Sequence, residues 1–260
     1  MHVCCGPCST APLRTLQERG AEVHIHFANP NIAPADEHAR RLDAARTYAK
    51  SADAPFVAEA YDPAAWAEAI GCLSEDERTS SDGITPPRER CRACYRVRFE
   101  ASARYAKEHG FPALGTTLSV SPYQYADIIE EELDRACALF GITPFFEDYS
   151  PLYPETISLS KEAGLYRQDY CGCLPSKAEA DEGRARRKAE REARKAARAK
   201  AREESDAAIQ ERREEHARYD AVQARKRAIK RALREQSARA GGDGRTALDE
   251  RTTESEQTDA

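Results

Sequence analysis

VHIHFANPNIAPADEHARRLDAARTYAKSADAPFVAEA, residues 23–60, carries the pattern that decides the fold. Val23–Phe27 alternates apolar residues with histidine and reads as a strand, ended by the turn residues Asn29-Pro30-Asn31. Ala35–Ser51 then brings Ala39, Leu42, Ala45 and Ala49 onto one helical face. Ala54–Ala60 turns apolar again and reads as a second strand. Strand, helix and strand in that order form a unit that pairs its strands in parallel.

The same alternation continues outward. Pro63–Ile70 reads as a helix with proline in its first turn, and residues 74–90, polar and proline-bearing, read as a loop. Cys91–His109 has helical spacing and stops at Gly110. Phe111–Val120 reads as a strand, followed by a Ser121-Pro122 break. Ala126–Phe140 reads as a helix closed by Gly141, and Ile142–Phe146 as a strand; loop and short helix fill the rest to Tyr170. The expected fold class is α/β, a mostly parallel sheet flanked by helices. Upstream, only Met1-His2-Val3 is available for a first strand, short for a central one. Either that strand is unusually short or the chain starts further upstream. In such sheets ligands gather at the carboxyl ends of strands, where Cys4-Cys5 and Ser119-Val120-Ser121 would lie.

Composition changes near Ser176 and sets the expected domains: a folded body 1–176, a charged helical extension 177–240 and a disordered polar tail 241–260. The body carries 17 Lys and Arg against 26 Asp and Glu, the extension 21 against 13, and the tail 2 against 6. The net charge of −5 therefore hides an acidic body with a basic arm. A basic arm suits contact with a polyanion such as RNA. Its Ala, Arg and Glu content reads as a long solvated helix with pairs such as Glu190–Arg194, and it lacks the sustained apolar seam of a coiled coil. No signal peptide and no membrane-length apolar stretch flanks the body, which points to the cytoplasm and to no membrane partner.

Seven of the nine cysteines fall into three groups: Cys4-Cys5-Gly6-Pro7-Cys8, Cys91-Arg92-Ala93-Cys94 and Cys171-Gly172-Cys173. In a reducing compartment such groups are metal ligands or redox catalysts rather than structural staples. Cys91 and Cys94 stand about one helical turn apart, and Cys4 with Cys5 can complete the four ligands of a four-iron cluster or a tetrahedral zinc. Adjacent loop cysteines reach a large cluster with less strain than one small ion, which favours iron–sulfur. Cys171 and Cys173 close too small a ring for a permanent link, so they read as a cycling redox pair, or else as two further ligands. Cys8 reads as a spare ligand, a ligand of a second metal or a bystander. Cys72 and Cys137 read as small core residues.

Together HVCCGPCS, NPNI, the Glu37–Arg41 spacing, CRACYRVR, TTLSVSP and GLYRQDYCGCLPS resemble, in order and spacing, the QueH-type epoxyqueuosine reductases over residues 1–176. The resemblance implies a HUP-like fold and a cobalamin-independent deoxygenation of epoxyqueuosine in tRNA to queuosine, the last step of queuosine biosynthesis. It implies that Cys4, Cys5, Cys91 and Cys94 hold a [4Fe-4S] cluster, that an additional iron can lie next to it, and that Cys171 and Cys173 are the redox-active catalytic pair. The partners implied are tRNA carrying epoxyqueuosine and an unidentified electron donor. Tyr166, Asp169 and Tyr170 are candidate proton donors, and Arg167 and Gln168 candidates to hold phosphate or the modified base. Two rival functions suit the same residues. A zinc-stabilised tRNA-binding scaffold would be colourless; an ATP-dependent tRNA sulfur-transfer enzyme would need a Gly-rich phosphate loop where CCGPCS stands.

Overall fold

The computed structural model describes residues 1–83 and 86–246, which divide into two compact units, Met1–Lys188 and Ala189–Ala260. In the first unit, α1 (Gly6–Glu18), β1 (Ile25–Phe27), α2 (Ala35–Ser51), β2 (Phe56–Ala58), α3 (Pro63–Gly71) and α4 (Glu75–Arg78) precede α5 (Arg88–Glu108). Then come β3 (Ala113–Gly115), α6 (Ala126–Phe140), β4 (Thr143–Phe145) and α7 (Tyr153–Glu162), followed by the start of α8 (Leu174–Thr246). The unit is mixed α/β, mostly helical, with small parallel sheets.

β1 pairs with β2 and β3 with β4, all in parallel. The N-terminal residues join the two pairs, because His2 bridges both His26 and Thr116. On one side Val3 N donates to His26 O (3.0 Å); on the other His2 N donates to Gly115 O (2.8 Å). The spatial order is thus β2, β1, Met1–Val3, β3, β4. One apolar cluster contains Val3, Leu13, Phe27 and Ala45, contributed by the central strand, α1, β1 and α2. The other contains Phe99, Leu114, Ile129 and Leu133, from α5, β3 and α6.

α2 and α6 have the bounds their periodicity predicts, and Gly141 ends α6 in the left-handed conformation at φ 65°. The strands are shorter than the apolar runs suggest, three residues each. α1 was not foreseen: Pro7 suits a first turn, but Pro12 inside the helix breaks the usual reading. The stretch 74–90 is not wholly loop. Ser74 and Glu77 form a capping box that starts α4, and α5 begins at Arg88, before the cysteine pair.

In the second unit the described chain is helical to Thr246, with exposed pairs such as Arg202–Asp206 and Arg231–Glu235 one turn apart. Of the tail expected to be disordered, 241–246 belongs to α8, and 247–260 lies outside the described residues. No helix among the described residues is long and apolar enough to cross a membrane.

Two features of the first unit set its stability. Arg90 and Glu179 are both buried and paired at 2.7 Å, tying α5 to the start of α8. Glu179→Gln leaves the guanidinium without its charge partner and costs about 3 kcal/mol, read as a lowered urea midpoint. His2 and His26 are buried, with Nδ1 of each 3.0 Å from the Thr116 and Ser102 hydroxyls and His26 Nε2 3.3 Å from Glu59, and burial holds both below the ordinary 6.5, His26 at about 4. The unfolded chain takes up protons at these sites before the folded one does. Stability therefore falls on acidification, through His26 between about pH 6.5 and 4. Urea midpoints measured from pH 8 to 4.5 should decline, and His26→Asn should flatten the lower part of that decline.

Candidate metal and redox centre

The central strand ends at Val3, and the chain turns at once into α1, with Cys5 as its N-terminal flanking residue in an extended conformation. Gly6 makes that turn possible. A Cβ there would lie 2.5 Å from the Ala44 carbonyl oxygen, so α1 and α2 meet backbone to backbone. Cys4, Cys5 and Cys8 consequently gather at the positive end of α1, with their sulfurs within 4.8 Å of one another. Cys91 and Cys94 lie one turn apart near the start of α5. Cys171 and Cys173 lie on the segment between α7 and α8.

Two small adjoining cavities connect these groups. One, about 20 Å³, is lined by Cys91, Cys94, Cys171 and Cys173, with Trp66, Tyr95, Tyr123 and Gln124. The other, about 50 Å³, is lined by Cys4, Cys8, Cys171, Arg98, Gln124 and Gln168. Cys171 and Gln124 belong to both walls. A roomier cavity of about 250 Å³ lies among Val23, His24, Tyr105 and Phe111. Its lining is mostly apolar and contains no cysteine.

The segment carrying Cys171 and Cys173 is held by α2. Buried Arg41 donates to Cys171 O (2.7 Å) and Tyr170 O (3.0 Å) while its Nε donates to Glu37 (2.7 Å). This is the structural content of the Glu37–Arg41 spacing. Gly172 adopts φ 149°, and a Cβ on it would press on Asn31, Ile32 and Arg41, so glycine is required between the two cysteines. Gln168 Nε2 donates to Cys5 Sγ (2.9 Å), Gln124 Nε2 donates to Cys171 Sγ (3.5 Å), and Gln124 Oε1 accepts from Tyr95 OH (2.7 Å).

Arg98 gives the site its charge. It is fully buried on α5, donates to Asn29 Oδ1 (2.7 Å) and faces Cys94 Sγ (4.0 Å), and no carboxylate pairs with it among the described residues. Its Nε has no hydrogen-bond partner there. A buried guanidinium without a carboxylate calls for a negative group nearby. Bonds from Cys5 and Cys8, with Arg98 and Arg41 behind them, hold the Cys4 thiol well below the ordinary range, whereas Cys8 is pushed up by the same trio and Cys5 chiefly by burial. Burial also raises Cys91, and raises Cys173 to about 12. Clustered soft sulfurs beside uncompensated positive charge fit a thiolate-ligated, anionic metal group.

Other sequence expectations meet the structure differently. Cys8 stands in one sulfur group with Cys4 and Cys5. Tyr166 OH donates to Glu37 (2.6 Å), Tyr170 OH to Ala33 O (2.6 Å), and Asp169 pairs with Arg184 (3.1 Å), so all three candidate proton donors have structural partners. Cys137 is a core residue as expected, but Cys72 is exposed, because it caps the end of the short helix α3. Arg98 and Gln124 were not singled out from the sequence. Arg98 had a legible signal, since its spacing from Cys91 and Cys94 puts all three on one face of α5.

The family model described as epoxyqueuosine reductase QueH matches residues 1–179. The epoxyqueuosine reductase QueH of Haemophilus influenzae is 33% identical over 189 residues, covering 71% of this chain and 73% of that protein. That of Acinetobacter baylyi is 32% identical, covering 71% and 82%, and that of Thermotoga maritima 30% identical, covering 71% and 93%. With its cysteine groups drawn around two adjoining cavities and this match across the first unit, the chain belongs to the epoxyqueuosine reductase QueH family.

Proposed function

We propose that this chain removes the epoxide oxygen of epoxyqueuosine in tRNA, giving queuosine, in a two-electron reduction that needs no cobalamin. The observation that carries the reading is the convergence on Cys171, which lines both the cavity of Cys91 and Cys94 and the cavity of Cys4 and Cys8. Cys4, Cys5, Cys91 and Cys94 would hold a [4Fe-4S] cluster, and Cys8, beside Cys4, would face an additional iron. Such a cluster, when bound, supplies electrons one at a time.

The residues account for the rest of the balance. Opening the epoxide to an alkene consumes two electrons and two protons and releases water. Cys171 and Cys173, closing from two thiols to a disulfide, release two electrons and two protons, and the unidentified donor returns them. Arg41 holds the backbone of this pair, and Gln124 holds the Cys171 sulfur between the two cavities. Tyr95, hydrogen-bonded to Gln124, keeps that amide turned with its NH₂ toward sulfur.

The order β2, β1, Met1–Val3, β3, β4 supports a HUP-like assignment, a doubly wound order with the site at the strand ends. Residues 1–176 would be the reductase domain, 177–240 a charged extension whose basic excess suits RNA, and 241–260 a tail. The cytoplasm suits its reduced thiols.

Anaerobic purification with iron, sulfide and zinc analysis is the first test. About four iron and four sulfide per chain is the expected result; a colourless zinc protein, unchanged by reconstitution, would leave the scaffold reading instead. Cys91→Ser and Cys94→Ser should lose the visible chromophore and tRNA reduction together. Cys171→Ser should keep the chromophore and lose turnover, and a wild-type rate in that variant would remove the dithiol from the reaction. For the iron-loaded protein, Arg98→Gln should lower the midpoint potential, because a buried positive charge favours the more negative, reduced state. Arg98→Lys should stay near wild type in the same titration.

A further inference from the structure

Tyr123 is the most exposed large aromatic or aliphatic side chain of the first unit, at 77% of its free surface. It follows the break at Ser121-Pro122 and also lines the cavity of Cys91, Cys94, Cys171 and Cys173. The ring thus stands at the mouth of the reactive site with most of its surface in water. Tyr153 braces it edge-on, 6.4 Å between centroids at 85°. Tyr153 is half-buried, and exposed Arg167 directly precedes Gln168, whose amide lies against Cys5 and Cys8 and lines the neighbouring cavity. An aromatic face, its brace and a cation therefore border the sulfur site together.

The cavity behind Tyr123 is about 20 Å³, the scale of a single water. Neither a fused-ring nucleobase nor the epoxide-bearing carbocycle on its arm fits in that volume, so the arm meets the sulfurs from outside. The base itself has to rest at the mouth. Single-stranded RNA is read in this way, by unstacked bases laid on aromatic rings with cations on the flanking backbone.

We propose that Tyr123 is the stacking platform for the modified base of an RNA loop, holding it at the mouth of the cysteine cavity with its epoxide-bearing arm turned toward the sulfurs, and that Arg167 meets an adjoining phosphate. The proposal rests on the reductase reading above and assigns its substrate contacts.

The test uses the full iron-loaded chain and tRNA carrying epoxyqueuosine, with dissociation constant, KM, kcat and iron content measured for Tyr123→Ala, Tyr123→Phe and Arg167→Gln. Stacking of one base is worth about 1–3 kcal/mol, so Tyr123→Ala should weaken binding about 5- to 150-fold and raise KM more than it lowers kcat, with iron retained. Tyr123→Phe should bind like wild type. Arg167→Gln should reduce the slope of log affinity against log salt by about 0.7–0.9, one phosphate contact. Wild-type affinity in Tyr123→Ala overturns the proposal. Iron loss in that variant also overturns it, by making the ring a wall of the metal site, and equal losses in the Ala and Phe variants overturn it by making the hydroxyl the active feature. A wild-type protein that binds and reduces this tRNA while Tyr123→Ala matches it sinks the platform alone. A wild-type protein that does neither sinks the reductase reading with it.

Discussion

The backbone of His2 and Val3 is the constraint on which the first unit depends. Two parallel strand pairs would otherwise be separate, and each is too small to hold a core alone. His2 bonds to Gly115 on one side and, through Val3, the strand bonds to His26 on the other. Because this strand ends at Val3, Cys4 and Cys5 emerge at the middle of the combined arrangement. The chain then has no spare residues for a loop. Gly6, touching the Ala44 carbonyl, is what lets α1 begin immediately and bring Cys8 back over Cys4.

Charge supplies the second constraint. Arg41, Arg90 and Arg98 are the largest fully buried side chains. Two have buried carboxylates, Glu37 and Glu179, and each uses its remaining donors on backbone carbonyls, of Tyr170 and Cys171 or of Arg78. Those two are fasteners: they locate the Tyr170–Cys171 backbone and the start of α8. Arg98 differs, because its neighbours are Asn29 and sulfur. An unpaired buried cation is costly in isolation, and its retention makes sense where thiolates balance it.

The sequence made the helices α2 and α6 legible because their apolar faces repeat at helical spacing with a clean stop, as at Gly141. It hid α1, since Pro12 contradicts local propensity and only packing against α2 and α7 overrides it. The three cysteine groups were legible as chemistry from spacing alone. Their mutual arrangement was not, because it depends on contacts between residues more than a hundred positions apart, such as Arg41 with Cys171. Cys72 and Cys137 illustrate the limit. Both sit in alanine- and leucine-bearing helical patterns, yet one ends a short exposed helix and the other is in the core.

The placement of Cys171 has a consequence for how the reaction is divided. Its sulfur, held by Gln124, is partly accessible, whereas Cys173 is buried and its thiol is pushed up to about 12. In the proposed cycle the two sulfurs are therefore unequal: Cys171 is the one that outside reactants and both cavities can reach, and Cys173 is the resolving partner behind it. A pair in which both thiols were exposed would be open to any oxidant in solution. Holding one sulfur in the interior, across a glycine whose φ of 149° no other residue adopts without strain, confines the exchange to partners that fit the mouth of the site.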